Sequence, residues 1–145
     1  MTDCVRVLCV DDNDLVLQAL TMRLRREPTL TVVGALAQAD ELPETALEKE
    51  ADIVLLDVDM PGRDAFEAMA DLANRRPEIR TIIVSGYVRA DLVDRAIANG
   101  AWGYLNKTAG VSAIIDAIHR VRAGEFAFGP DLPFDGNGRG YADSR

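Results

Sequence analysis

The chain has 145 residues, 48% of them hydrophobic, which is enough apolar side chain for one domain around a single core. Its formal net charge of -8 argues against a nucleic-acid surface and against an anionic membrane surface, since both attract basic patches. No apolar run approaches the length of a membrane span, and the acidic start Met1-Thr2-Asp3 is unlike a signal peptide, so a cytoplasmic location is expected.

Residues 5–10, VRVLCV, read as a first strand. Asp11-Asp12-Asn13-Asp14 closes it and opens a helix over 14–26, with acids suited to the positive helix start. Val16, Ala19, Leu20 and Leu24 form its apolar stripe, and Pro28 stops it. Residues 30–35 read as a second strand. Residues 38–50 predict a weaker helix, in which Pro43 is tolerable only in the first turn. The aliphatic run Ile53-Val54-Leu55-Leu56 suits a strand buried on both faces, and it ends abruptly in Asp57. Pro61-Gly62 then forces a turn. Residues 63–74 predict a third helix, with Phe66, Met69, Ala70 and Ala73 facing inward. Residues 80–84 form a fourth strand ending at Ser85-Gly86. A fourth helix over 89–98 puts Leu92, Val93, Ala96 and Ile97 on one face, and Gly100 ends it. Residues 102–105 are a short fifth strand ending at Asn106-Lys107. In the fifth helix, over 109–123, Val111, Ile114, Ile115, Ile118 and Val121 give the clearest helical period in the chain.

Strand and helix alternate five times. This predicts an α/β fold, a doubly wound five-stranded parallel sheet with five helices covering its two faces. The domain is expected to span residues 1–124, with 125–145 as a C-terminal tail whose last ten residues read as disordered. Phe126, Phe128 and Phe134 are three of the four phenylalanines, and a solvated linker does not need them. Residues 125–134 are therefore expected to pack on this domain or on a partner. Cys4 and Cys9, five apart on the first strand, point to opposite faces and are expected to be two reduced, partly buried thiols.

Polar groups stand at four predicted strand ends: Asp11 and Asp12, Asp57, Ser85 and Lys107. In a doubly wound sheet these ends line one edge, where such folds bind ligands. Any one of them could be a helix cap, a turn residue or a solvated lysine. Together, they are hard to explain as capping. Three carboxylates in one pocket repel by roughly 4 kcal/mol per pair at 4 Å in a partly screened site. Either one is protonated or a cation sits among them, and hard oxygen ligands with room for water suit magnesium. Magnesium would balance a phosphoryl group, with Asp57 placed as the nucleophile that accepts it as an acyl phosphate. Lys107 can pair with one phosphoryl oxygen and Ser85 can donate to another.

These motifs resemble the receiver domain of a two-component response regulator, of the CheY-like kind. The matching pieces are Val10-Asp11-Asp12, Asp57-Val58-Asp59-Met60-Pro61-Gly62, Val84-Ser85-Gly86 and Gly100-Ala101-Trp102-Gly103-Tyr104-Leu105-Asn106-Lys107, within a resemblance covering residues 5 to 124. The resemblance implies a flavodoxin-like sheet of order 2-1-3-4-5. It implies that Asp57 takes phosphate from a histidine kinase. Asp11 and Asp12, with Asp57 and the backbone carbonyl of Asp59, would hold magnesium. Ser85 takes the place of the switch hydroxyl, Tyr104 that of the switch aromatic, and Lys107 is the phosphate-binding lysine. Phosphorylation would draw the Ser85 hydroxyl over and let Tyr104 swing inward. That would change the surface of the fourth helix, fifth strand and fifth helix, through which a downstream protein, an output domain or a second copy binds.

Two departures stand out. Many receivers follow the lysine with proline; here Thr108 follows, so no slow isomerisation is expected at that bond. Asp59 and Tyr87 occupy positions that vary in the family and affect how long the phosphate survives. His119, the only histidine, is expected to be a surface helix residue, and Trp102 to belong to the fold.

The resemblance implies a signalling switch with no catalytic output beyond self-phosphotransfer and autodephosphorylation at Asp57. The run Val121-Arg122-Ala123-Gly124-Glu125 resembles receivers of the NarL/FixJ type that carry a DNA-binding domain, so the chain is expected to be either a stand-alone receiver or an excised piece of a transcription factor. The ending Tyr141-Ala142-Asp143-Ser144-Arg145 resembles no purification tag, which favours the former. A haloacid-dehalogenase-like phosphatase using Asp57 and Asp59 is the alternative enzyme reading. In that class, however, the nucleophile usually follows the first strand.

Overall fold

The computed structural model describes residues 4–129 and Leu132. Its strands are β1 (Val5–Val10), β2 (Leu30–Leu36), β3 (Ile53–Leu56), β4 (Arg80–Ser85), β5 (Gly103–Asn106) and β6 (Ala127–Phe128). Its helices are α1 (Asp14–Arg25), α2 (Leu42–Glu48), α3 (Ala65–Arg75), α4 (Ala90–Ala98) and α5 (Val111–Arg122), with a 3-10 turn over Lys107–Ala109. The strands form one parallel sheet of order β2-β1-β3-β4-β5-β6. The anticipated five-strand order is present, and a sixth, two-residue strand is added beside β5.

β3 is buried along its whole length, as its four aliphatic residues require. Successive side chains of a strand point to opposite faces, so the run divides between two cores. Val54 and Leu56 join Phe66, Met69 and Leu72 of α3 and Val93 of α4. Ile53 and Leu55 join Leu17 and Leu24 of α1 and Ile114 and Ile118 of α5. β3 is thereby covered on both faces, and Asp57 stands just beyond its end.

Local chemistry sets the helix starts. Asn13 accepts from the Val16 N–H at 3.1 Å and caps α1. The Asp64 carboxylate accepts from Phe66 N–H at 2.8 Å and Glu67 N–H at 3.3 Å and caps α3. α2 is shorter than the predicted 38–50. It begins at Leu42 with Pro43 in its first turn and no side-chain cap, while residues 37–41 form turns. There Asp40 Oδ1 accepts from the Arg63 N–H of the β3–α3 loop at 3.1 Å.

Cys4 corrects an expectation. It precedes β1 and is exposed, with its thiol 3.3 Å from the Pro28 carbonyl; Cys9 is buried. Burial pushes the Cys9 thiol up to about 12, which leaves it protonated and inert.

After α5 the chain returns to the sheet. Ala127 N–H donates to the Trp102 carbonyl at 2.8 Å, and Ala127 and Phe128 pair with Gly103 and Tyr104. Phe126 stacks on Trp102 with ring centroids 4.7 Å apart, and the Arg80 guanidinium lies 4.3 Å from the Trp102 ring centroid. Gly103 admits this approach, because a Cβ there would come within 3.1 Å of the Ala127 carbonyl. Phe134 and the last ten residues lie outside the described residues.

Because Trp102 is the only tryptophan, its emission reports on this stack alone. Phe126→Ala is expected to shift that emission to the red and to cost about 1 kcal/mol of stability beyond the area lost. Fluorescence and chemical denaturation check it; an unmoved emission would mean that the stack does not persist in solution.

Candidate functional site

The ladder pairs Val10 with Leu56, so the residues that follow them leave the sheet side by side. Asp57 N–H donates to the Val10 carbonyl at 2.9 Å, and Asp11 N–H to the Leu36 carbonyl at 3.0 Å. These bonds hold the backbone under both carboxylates. Asp11 and Asp57 are buried and Asp12 is exposed. One carboxylate oxygen from each of the three lies within 4.8 Å of the others.

Lys107 reaches the cup from the end of β5. Its Nζ lies 2.8 Å from Asp11 Oδ2 and 3.5 Å from Asp57 Oδ2. Asn106 fixes the local turn: its Oδ1 accepts from the Thr108 N–H at 2.9 Å and from the Thr108 hydroxyl at 2.8 Å. Burial alone would lower the Lys107 ammonium, but Asp11 and Asp57 outweigh it, and the net shift is upward. Lys107 therefore stays charged. Asp57 moves the opposite way to an ordinary ion-paired acid. Burial raises its carboxyl, and the Asp59 N–H and Lys107 only partly offset that while Asp11 and Asp12 raise it again. An apolar recess of about 230 Å3, lined by Val16, Leu20, Val111 and Ile114 among others, adjoins Asp11, Asp57 and Lys107.

Ser85 ends β4 fully buried, and its Oγ accepts from the Tyr87 N–H at 3.0 Å. Tyr104 on β5 is fully buried, and its hydroxyl donates to the Tyr87 carbonyl. The Tyr87 peptide thus touches both.

The family profile for the response regulator receiver domain matches residues 7–119. The chain belongs to that family. The receiver is 36% identical over 128 residues to the response regulator GacA of Pseudomonas viridiflava, covering 88% of this chain and 60% of that protein. It therefore spans about 60% of the length of such curated relatives. Similar solved structures include the following two. One is a LuxR-family two-component response regulator from Aurantimonas, at TM-score 0.83 and 28% identity, covering 89% of this chain and 92% of that one. The other is the signal receiver domain of the putative response regulator NarL from Mycobacterium tuberculosis, at TM-score 0.80 and 26% identity, covering 85% and 99%.

The receiver brings the Asp11, Asp12 and Asp57 carboxylates together and Lys107 onto Asp11 and Asp57, with Ser85 on the neighbouring strand end. Asp57 follows β3 rather than β1, unlike the haloacid-dehalogenase arrangement. Asp59 contributes its N–H to Asp57 Oδ1 at 3.3 Å while its side chain is exposed. His119 stands apart. Its Nε2 lies 3.0 Å from the Thr29 hydroxyl, before β2, at the sheet edge opposite the cup. Among the described residues no helix is long and apolar enough to cross a membrane. Sequence reasoning missed two features of the receiver's site. Lys107 is closer to Asp11 than to Asp57, and the Tyr87 peptide bridges Ser85 and Tyr104. Strand ends signal proximity, but not which pair is shortest.

The donor set fits a hard divalent cation: three carboxylates converge, and one lysine is too little charge to balance them. A carboxyl raised above its unfolded value, about 3.9, favours folding below that value and loses the benefit as pH rises through the folded pKa. At neutral pH the ionised Asp57 therefore costs stability. Asp57→Asn is expected to melt higher than wild type in chelator at neutral pH. The gap should close below about pH 4, and it should narrow with added magnesium. Thermal melts across pH and magnesium check this; a variant less stable than wild type at neutral pH in chelator contradicts it.

Proposed function

We propose that this receiver is a phosphorylation switch in which Asp57 accepts a phosphoryl group from a histidine kinase. What carries the reading is the convergence of three carboxylates with Lys107 2.8 Å from Asp11 and 3.5 Å from Asp57. Asp11, Asp12, Asp57 and the Asp59 backbone carbonyl would hold magnesium, which supplies positive charge to the acids and to the phosphoryl oxygens. An Asp57 carboxylate oxygen attacks phosphorus, the phosphorus–nitrogen bond to the kinase imidazole breaks, and an acyl phosphate remains. Lys107 turns from the carboxylates to a phosphoryl oxygen, keeping its charge throughout.

The output follows from Ser85. A phosphoryl oxygen gives its hydroxyl a strong acceptor, and movement toward it breaks the contact with the Tyr87 N–H. Tyr87 in turn holds Tyr104. Since Tyr104 already lies inward, phosphorylation in this protein selects among packings around a buried tyrosine rather than drawing it in. The surface of α4, β5 and α5 then engages an output domain, a downstream protein or a second copy. The relatives' names support response regulation as the setting, and the cytoplasm is where such a receiver would meet its kinase.

A small phosphodonor such as phosphoramidate should add one phosphoryl group to the wild-type chain in magnesium and none in chelator. Asp57→Asn should not label, and Lys107→Ala should label about 100-fold more slowly, the scale for losing one preorganised charge. Intact-mass kinetics read all three. Equal labelling of Asp57→Asn would sink the assignment.

A further inference from the structure

α4 is weakly anchored. Only Val93 and Ala96 of its nine residues are buried, against five of eleven in α3. Its N-cap, Arg89, makes no side-chain capping bond and pairs instead with Asp91 two residues on. An ion pair ties α4 elsewhere: Arg95 NH2 donates to Asp64 Oδ2. The same guanidinium lies over the Phe66 ring, 4.5 Å from its centroid.

Asp64 closes the loop that begins at Asp57. At the near end, Asp57 Oδ1 accepts from the Asp59 N–H. At the far end, Asp64 caps α3 through one oxygen and grips α4 through the other. Burial alone would raise the Asp64 carboxyl, but Arg95 and the Glu67 and Phe66 N–H groups outweigh it and hold it below the usual range, so the pair is ionic. A change of charge on Asp57 disturbs the first bond of this loop, and Arg95 connects its last residue to α4.

We propose that Arg95 is a positioning residue that passes the charge state of Asp57 to α4 through the β3–α3 loop. This rests on Asp57 being the phosphoacceptor. A half-exposed ion pair adds little to global stability, so this tether can be made and broken without cost to the fold. By linkage, the same tether makes the position of α4 felt at the acid cup.

Hydrogen exchange of residues 90–98 in the full chain tests it, with and without magnesium plus beryllium trifluoride, a phosphoryl mimic. Wild type should show a ligand-dependent change in α4. Arg95→Met keeps the apolar cover on Phe66 and should lose that change; Arg95→Lys should restore it. Asp64→Asn keeps a capping oxygen and should also lose it. A merely structural tie would loosen α4 equally in both conditions and leave the difference intact, which overturns the proposal. Phosphoramidate labelling of the same samples separates the two readings. A labelled wild type with an unresponsive α4 overturns the coupling alone, whereas an unlabelled wild type overturns the phosphoacceptor reading as well.

Discussion

The contact on which the site depends is that between Lys107 and the two buried acids. Asp11 and Asp57 are carried by neighbouring strands and cannot move apart without breaking the ladder between Val10 and Leu56. Their repulsion is therefore built into the sheet. Lys107 relieves it only in part, because it approaches Asp11 more closely than Asp57. Asp57 is left as the less satisfied acid, buried and short of positive charge. That imbalance leaves the cup short of positive charge, which a divalent cation held by the three carboxylates would supply.

The remainder of the fold keeps this imbalance in place. Two apolar cores clamp β3 from both sides, so the strand that delivers Asp57 has no slack. The carboxylates of the cup stand just beyond the ends of β1 and β3. The Tyr87 peptide then links Ser85 to Tyr104, so the first polar contact beyond the cup leads directly into the β5 face of the sheet.

Much of this was legible in the sequence. The run Ile53 to Leu56 ending in an acid fixes a central strand, since only a doubly covered sheet takes four consecutive aliphatics and then stops. The five alternations point to the fold class, and the polar residues at four of the strand ends point to the candidate edge. What was not legible depends on distance in space. β6 has two residues, too few to carry a period, and its partner Gly103 is far away in the chain. Arg95 and Asp64 sit on different elements, and nothing in either helix pattern announces their pairing. The resemblance has Tyr104 swing inward, whereas here it is already buried, because the Tyr87 carbonyl gives its hydroxyl a partner inside. Cys4 was placed on β1 by its neighbours, yet it stands one residue before the first rung.

The double covering of β3 also removes a safeguard that most strands possess. In a sheet wet on one side, sliding by one residue exposes apolar side chains, and hydrophobicity alone forbids it. A strand of four aliphatics between two oily layers has no such preference. Alignment must come from its polar ends. Asp52 exchanges backbone bonds with Arg6 and Arg80 and takes the Arg6 N–H on its carboxylate at 2.9 Å, while Asp57 N–H locks to Val10. Those two acids, bracketing the strand like stops on a slide rule, set where the Asp57 carboxylate stands to within a single 3.3 Å step.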